Sequence, residues 1–515
     1  MSNPGKVKKK WSKRQKRWMG FGIFIVILLG AFFLPSFYWT IQVNQAYKPE
    51  SVNMGEMHLD SSHASHSAGT NQIGSETIHT NRAGEVIETR SCFDMRDTQG
   101  DAIVRSFEVT AEAKSINLDN GSSVDAYTLN GTTPGPEIRV KEGEMVRVHL
   151  KNINVEEGVT LHWHGVVLHC SQDGVAGVTQ DAVEPGGEFT YEFIARHSGS
   201  FWYHSHQQSS LQAKKGLIGR FIVEPKVKPF EYEQDLAVTL QRFGNSTMLI
   251  NSSTKDVHFS ARSGEWVRLR IVNSDSRTQN VNVYGNSFQV VSIDGSDIPG
   301  PEVIQAQTLP IGAGQRYDIL IQVPENERIL LQSTSADRRS LPDIHIGEGT
   351  MPERGQAKGR FDFTVYGTPT PDDLSIDSDY DVVEHLILGH KAFAAYTING
   401  EIFHHIPPIM VEEGDLVKIS LTNDGGGTHP MHLHGHIFKV LSKNGIPLTS
   451  NVYMDTLPIE EGETFEIAFV ADNPGLWMKH CHNLEHAASG MTMMVNYYGV
   501  TTPFTVGTVS GNLPD

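Results

Sequence analysis

The sequence predicts an all-β protein of three homologous Greek-key β-sandwich domains, carried behind one N-terminal transmembrane helix. Three observations predict this class. The 515 residues are too many for one core and fit about three domains of ~150 residues. A strand motif recurs three times along the chain, and no long amphipathic helical period interrupts the body. Near the start, "WMGFGIFIVILLGAFFLPSFYW" (Trp18–Trp39) is uncharged, aromatic at both ends and about the ~20 residues that cross a bilayer.

The N-terminal elements follow in order. Residues 1–17 are a Lys/Arg-rich tail without an acid, so the rest of the chain is more acidic than the net −18 of the whole. An acidic body repels nucleic acid and tolerates cations. By the positive-inside rule the tail stays in the cytoplasm and the body is exported, giving a single-pass protein of the cell membrane. A cleaved signal peptide is the competing reading; the length of the run and the lack of a small-x-small cleavage site favour a retained anchor over 18–39. Residues 40–83 carry no apolar period and read as a flexible tether. Its segment "MGEMHLDSSHASH" (Met54–His66) is either a polar linker or a metal-capture tract.

The repeat defines the domains. Gly143, Gly264 and Gly414 are each followed by an acid and precede Asn152, Asn273 and Asn423 by nine residues. The intervening residues alternate: Val146, Val148, Leu150; Val267, Leu269, Ile271; Val417, Ile419, Leu421. Period two marks a strand with one buried face, entered by the Gly-acid turn. The interval is too long for a solenoid, so the units are domains: 84–225, 226–367 and 368–515, the last boundary lying in "YGTPTPDDLS" (Tyr366–Ser375).

Histidine placement carries the functional reading. With 24 histidines, chance gives about one His-x-His pair. The pairs His162/His164 and His204/His206 of the first domain match His432/His434 and His480/His482 of the third; the middle domain lacks them. Side chains at i and i+2 leave one face of an extended segment, so each pair offers two imidazoles to one centre. Eight such ligands exceed the needs of one ion and predict a metal cluster between the first and third domains. In "HCH" (His480–His482) the thiol of Cys481 points the other way, toward a second centre. His429 has the parity to reach it, and His486 and Met491 complete two imidazoles, a thiolate and a thioether, the ligand set of blue copper. Closed zinc sites fit less well, since a single cysteine serves the whole set. His169, His197, His385 and His390, taken singly, read as ordinary surface or core residues, and His436 stands outside the set.

Over residues 100–500, "HWHG", "WYHSH", "HPMHLHGH" and "HCH" in this order resemble the multicopper oxidases, the laccase-like three-domain enzymes. The resemblance implies cupredoxin-like domains and four coppers per chain. It implies type 1 copper on His429, Cys481 and His486 with Met491 axial, and type 2 copper on His162 and His432. The type 3 pair falls to His164, His204, His206, His434, His480 and His482. The parity argument separates the type 1 set from the rest; only the resemblance divides type 2 from type 3. It further implies one-electron oxidation of a donor at type 1 copper, coupled to reduction of dioxygen to water. Electrons enter by way of His486 and pass through Cys481, His480 and His482.

Proton delivery calls for a carboxylate near the cluster. Asp173 stands where relatives carry such an acid, or else is a turn residue before Gly174. Some relatives place an acid after the last type 1 histidine; here that position is Ala487. Glu485, one residue before His486, either orients that imidazole or is solvated. Outside the cell Cys92 and Cys170 can form a disulfide, the alternative being two buried thiols. Two other classes, a copper carrier or electron-transfer protein and a copper nitrite reductase, do not need eight cluster histidines. The partners expected are dioxygen, the membrane, and a small donor, which phenols, aromatic amines or metal ions such as Cu(I) all satisfy. No nucleic acid is expected, and the chain reads as a monomer.

Overall fold

The computed structural model describes residues 13–47, 49–57, 79–371, 374–392 and 394–514. Three two-sheet sandwiches follow one another. In the first, strands Ser123–Leu129, Val104–Asn117, Met145–Asn152 and Glu188–Ile194 form one sheet. Ile138–Lys141, Ile218–Glu224, Gly199–His204 and His162–His164 form the sheet that faces it. The second and third sandwiches repeat the plan with six- and six-stranded, then six- and five-stranded sheets. In all three the repeat strand pairs parallel with the strand that opens the sandwich: Val104–Asn117 with Met145–Asn152, Gln234–Phe243 with Trp266–Asn273, and Val382–Lys391 with Leu416–Asn423. The alternating residues Val146, Val148, Leu150, Val267, Leu269, Ile271, Val417, Ile419 and Leu421 are fully buried.

The repeated polar residues have repeated tasks. Glu144, Glu265 and Asp415 each accept from the backbone N–H three residues earlier, at Lys141 (2.8 Å), Arg262 (2.9 Å) and Glu412 (2.6 Å). The chain reverses there because the preceding glycine holds φ of +87°, +84° and +98°, a region costly for residues with a Cβ. Asn152, Asn273 and Asn423 are buried and donate to carbonyls further along the chain: Val155 and Val183; Arg277, Ile311 and Gly312; Gly427 and Ile459. Each asparagine thus fixes the exit from its strand.

The chain ends stitch the first and third sandwiches together. Arg90–Ser91 pairs parallel with Val500–Thr501 of the third. The C-terminal segment returns to the first, where Leu513 O accepts from Gln208 N (2.8 Å) and Asn512 Oδ1 from Ala182 N (2.9 Å). The Cys92–Cys170 disulfide forms, with a Cα–Cα distance of 5.5 Å.

The N-terminus departs from the sequence reading. The helix runs Lys13–Tyr47, so residues 40–47 are helical rather than tether. No Gly or Pro interrupts "TIQVNQAY" (Thr40–Tyr47), and Pro49 follows it. Residues 49–57 lie against the third sandwich: Val52 exchanges two backbone hydrogen bonds with Val506 (2.8 Å each), and Met54 is fully buried with its carbonyl bonded to Asn496 Nδ2 (2.8 Å). Met54 is therefore a packing residue, not an exposed metal-capture group. His58, His63 and His66 lie outside the described residues, as does all of 58–78.

Candidate metal centres

The first- and third-domain histidines meet across the interface. His162 pairs with His204 and His164 with Trp202 on adjacent antiparallel strands; His432 pairs with His480 and Met431 with Cys481 on another two. Facing strand pairs then bring ring onto ring, His164 on His432 at 3.8 Å and His162 on His434 at 3.9 Å. All eight residues are at most 1% exposed.

What the nitrogens do tests whether metal fits. His162, His204, His432 and His480 each anchor Nδ1 on a backbone carbonyl, those of Asp173, Ser205, Asp455 and Cys481, at 2.9–3.2 Å. Among the described residues the inward Nε2 atoms of His162, His204 and His432 have no hydrogen-bond partner, nor does Nδ1 of His164 or either ring nitrogen of His206 and His482. A buried acceptor without a donor is costly, and here many converge. His434 and His480 bring their Nε2 atoms within 3.1 Å of each other. Donor atoms lie within 4.8 Å of one another in the groups His162/His164/His432, His164/His204/His482 and His206/His434/His480. Burial, the first cause, and neighbouring imidazoles push His164, His204, His206, His434, His480 and His482 well below the ordinary imidazole range, keeping them neutral as ligation requires.

A second centre lies on the other face of the same strands. Cys481 Sγ is 3.8 Å from His429 Nδ1 and 3.7 Å from His486 Nδ1, and the two Nδ1 atoms are 3.1 Å apart. Bonds of about 2 Å to nitrogen and 2.3 Å to sulfur put trigonal ligands roughly 3.5 Å apart, so the triangle accepts one ion. His429 Nε2 donates to Gly425 O (3.0 Å), which leaves its Nδ1 free for metal. Burial pushes the Cys481 thiol up, so metal must displace its proton. Met491 is fully buried beside the triangle, its carbonyl accepting from Cys481 N (3.0 Å) and its N–H donating to His486 O (3.1 Å).

Two carboxylates brace the cluster in parallel fashion. Asp173 Oδ1 is 3.1 Å from His162 Nδ1 and Oδ2 is 2.8 Å from His434 Nδ1. Asp455 Oδ1 is 3.1 Å from His164 Nε2 and 3.3 Å from His432 Nδ1. Each therefore clamps one histidine of the first domain and one of the third. Asp173 also keeps its turn, because a Cβ on Gly174 (φ +73°) would stand 1.9 Å from Leu161 O.

Sequence reasoning missed Asp455 and what holds it. Arg316 of the second domain binds both its oxygens (2.9 and 2.6 Å), donates to Ser200 O (2.9 Å) and lies 3.4 Å from Asp294. All three side chains are fully buried. Burial and the charge of Asp455 raise the Asp294 carboxyl, while Arg316 overcomes burial to hold Asp455 low. The domain without a histidine pair thus supplies the counter-charge. The one available signal was a charged alternation, Arg316 and Asp318, inside the apolar strand "RYDILIQ" (Arg316–Gln322).

Glu485 requires a correction. It is half exposed and pairs with Lys214 (2.6 Å) and Arg277 (3.7 Å), not with His486. The side chain against His486 Nε2 is Asn483 (2.8 Å), which also caps the short helix Leu484–Ala487. His436 is bound to Tyr497 Oη (2.7 Å) and takes no part.

Comparison with known proteins bears on the same residues. Family models described as multicopper oxidase match residues 110–228, 200–335 and 376–499, more than half of the chain together. The multicopper oxidase MmcO of Mycobacterium tuberculosis is 26% identical, covering 76% of this chain and 86% of its own. The iron transport multicopper oxidase FET3 of Kluyveromyces lactis is 24% identical over 77% of this chain and 76% of its own. Among solved structures, a multi-copper oxidase from Pseudomonas thermotolerans aligns with a TM-score of 0.64 and 27% identity, covering 77% of this chain and all of its own.

Proposed function

The chain belongs to the multicopper oxidase family, and from that premise we propose which of its residues divide the work. The enzyme is an oxidoreductase that takes dioxygen as acceptor and carries four coppers. His429, Cys481 and His486, together with Met491, would hold type 1 copper. His162 and His432 would hold type 2 copper. His164, His204 and His482 would hold one type 3 ion, and His206, His434 and His480 the other, a division supported by the grouping of their donor atoms. Bound copper supplies one-electron redox chemistry, joining oxidation of a donor to four-electron reduction of dioxygen to water.

The protein supplies position. Cys481 joins the two centres through its own backbone, its sulfur on one side and His480 and His482 on the other. Asp173 and Asp455 fix which ring nitrogen each ligand turns inward, since an imidazole whose outer N–H is held by a carboxylate presents a lone pair. Asp173 is also the group that passes protons; Asp455, the other carboxylate in contact with two cluster histidines, has both oxygens engaged by Arg316. Glu485 has no catalytic role; with Lys214 and Arg277 it shapes the charged surface near His486. The helix Lys13–Tyr47 anchors the enzyme in the cell membrane with the sandwiches outside. The donor is a small reductant that reaches the His486 edge.

The observation that carries this reading is the convergence of unpartnered ring nitrogens beside a separate N,N,S triangle. Copper titration of the purified full chain tests it: four coppers and a blue colour are expected, and a colourless protein that binds one or none removes the reading.

A further inference from the structure

The apolar helix and the type 1 centre meet through one short segment. Trp39 and Val43, at the outer end of the helix, pack against the buried Ala395 and Ile402, and Lys391 Nζ lies 4.7 Å above the Trp39 ring. Tyr396, within that segment, stacks on His486 at 3.7 Å and 13°, and its backbone N–H donates to Ser489 O (3.0 Å). Phe403 N likewise donates to Gly490 O (2.9 Å), so residues 395–403 lie along the loop that carries His486 and Met491. One side of this segment touches the helix and the other side the copper ligands.

The depth of the contact follows from the sequence. Trp39 ends the apolar run Trp18–Trp39, whose length at 1.5 Å per residue is about the ~30 Å of a bilayer core. A tryptophan at that point belongs at headgroup level. Whatever packs on Trp39 lies at the same level, and Val43 is one helical turn further out. Slack is absent as well: one residue separates the helix end at Tyr47 from buried Pro49, and Val52 is already bonded to Val506.

We propose that the end of the anchor helix holds the type 1 face of the third domain against the membrane surface, and that the donor is a hydroquinone dissolved in that membrane. This rests on the anchor reading of the helix. A hydroquinone with an apolar tail presents its ring at headgroup level, where the Tyr396–His486 edge lies. Each hydroquinone loses two electrons and two protons and becomes a quinone. Two of them therefore supply the four electrons and four protons that convert one dioxygen into two waters.

The test uses the copper-loaded full chain in phosphatidylcholine vesicles, with a fluorophore on Glu401→Cys or, as reference, on Thr40→Cys of the helix. Lipids carrying a nitroxide near the headgroup are expected to quench both labels to a similar degree. Quenching at position 40 but not at 401 overturns the docking and leaves the anchor standing. Failure to quench position 40 overturns the anchor and the docking with it. Oxygen uptake then tests the donor: Trp39→Ala with Val43→Ser loses turnover several-fold with a long-tailed benzoquinol and keeps it with unsubstituted hydroquinone. Equal rates with both donors in both proteins overturn the membrane-borne donor.

Discussion

Replacing Asp455 with asparagine separates the two centres and isolates the contribution of the second domain. Asp455 Oδ1 faces His164 Nε2 at 3.1 Å and His432 Nδ1 at 3.3 Å, and its hydrogen bonds and ion pairs among the described residues include none to His429, Cys481 or His486. Loss of such an outer partner weakens metal binding by roughly 10–100-fold, or about 1.4–2.7 kcal/mol at 1.36 kcal/mol per decade. Two ligands lose their carboxylate at once, so the effect belongs at the upper end. The fold is better protected, because Asp294 lies 3.4 Å from Arg316 and has its carboxyl raised partly by the Asp455 charge. When that charge goes, Asp294 ionises and serves as the counter-ion. Asp294→Asn added to Asp455→Asn strands the buried guanidinium and costs a further ~3–5 kcal/mol. The assay is chelator competition for cluster copper, with the blue absorbance as internal reference. Unchanged cluster affinity, or colour lost in step with cluster copper, refutes the reasoning.

Other consequences follow from the same geometry. Asp173→Asn keeps a hydrogen-bond acceptor but cannot take a proton, so kcat per bound copper is expected to fall by ~10²-fold or more; an unchanged value removes the relay. At the first/second-domain boundary, burial alone would raise Glu137 and Asp235, but Arg220 and Arg139 outweigh it for the former, and Arg270 and Arg139 for the latter. Both carboxyls are held low, so their stabilising effect is complete above the ordinary carboxylate range and lost as pH falls through and below it. Thermal unfolding of Arg139→Met, followed from pH 6 downward, is expected to show a shallower loss than the parent; parallel curves contradict this. Lys479 is fully buried, and among the described residues its Nζ has no hydrogen-bond partner and lies 5.8 Å from the Phe438 ring. Lys479→Met, similar in length and uncharged, raises the melting temperature, and a lower one shows that the ammonium is stabilised by something else.

Residues whose role is set by local period were legible. The parity that turns Cys481 away from His480 and His482 follows from strand geometry alone, as does the separation of His429 from His432 and His434. The Gly-acid turns and strand-ending asparagines could be found because they recur, although recurrence did not reveal which later carbonyls each asparagine binds. Asp455, Arg316 and Asp294 were not legible, because their meaning arises where three domains meet and the one sign of it was the Arg316/Asp318 alternation inside an apolar strand. Met54 was hidden for the same reason, a packing residue in a polar stretch whose partner lies more than four hundred residues away. Glu485 misled because adjacency along the chain suggested contact with His486, whereas the helical turn at Leu484–Ala487 points it to solvent and gives the imidazole to Asn483.

Copper content and colour of Cys481→Ser test the two-sided strand most directly. With sulfur gone from one face and the imidazoles of the other face untouched, the protein is expected to lose its blue colour and one copper while keeping three. Retention of the colour, or collapse of the whole copper complement to none, would contradict the arrangement from which the account is built.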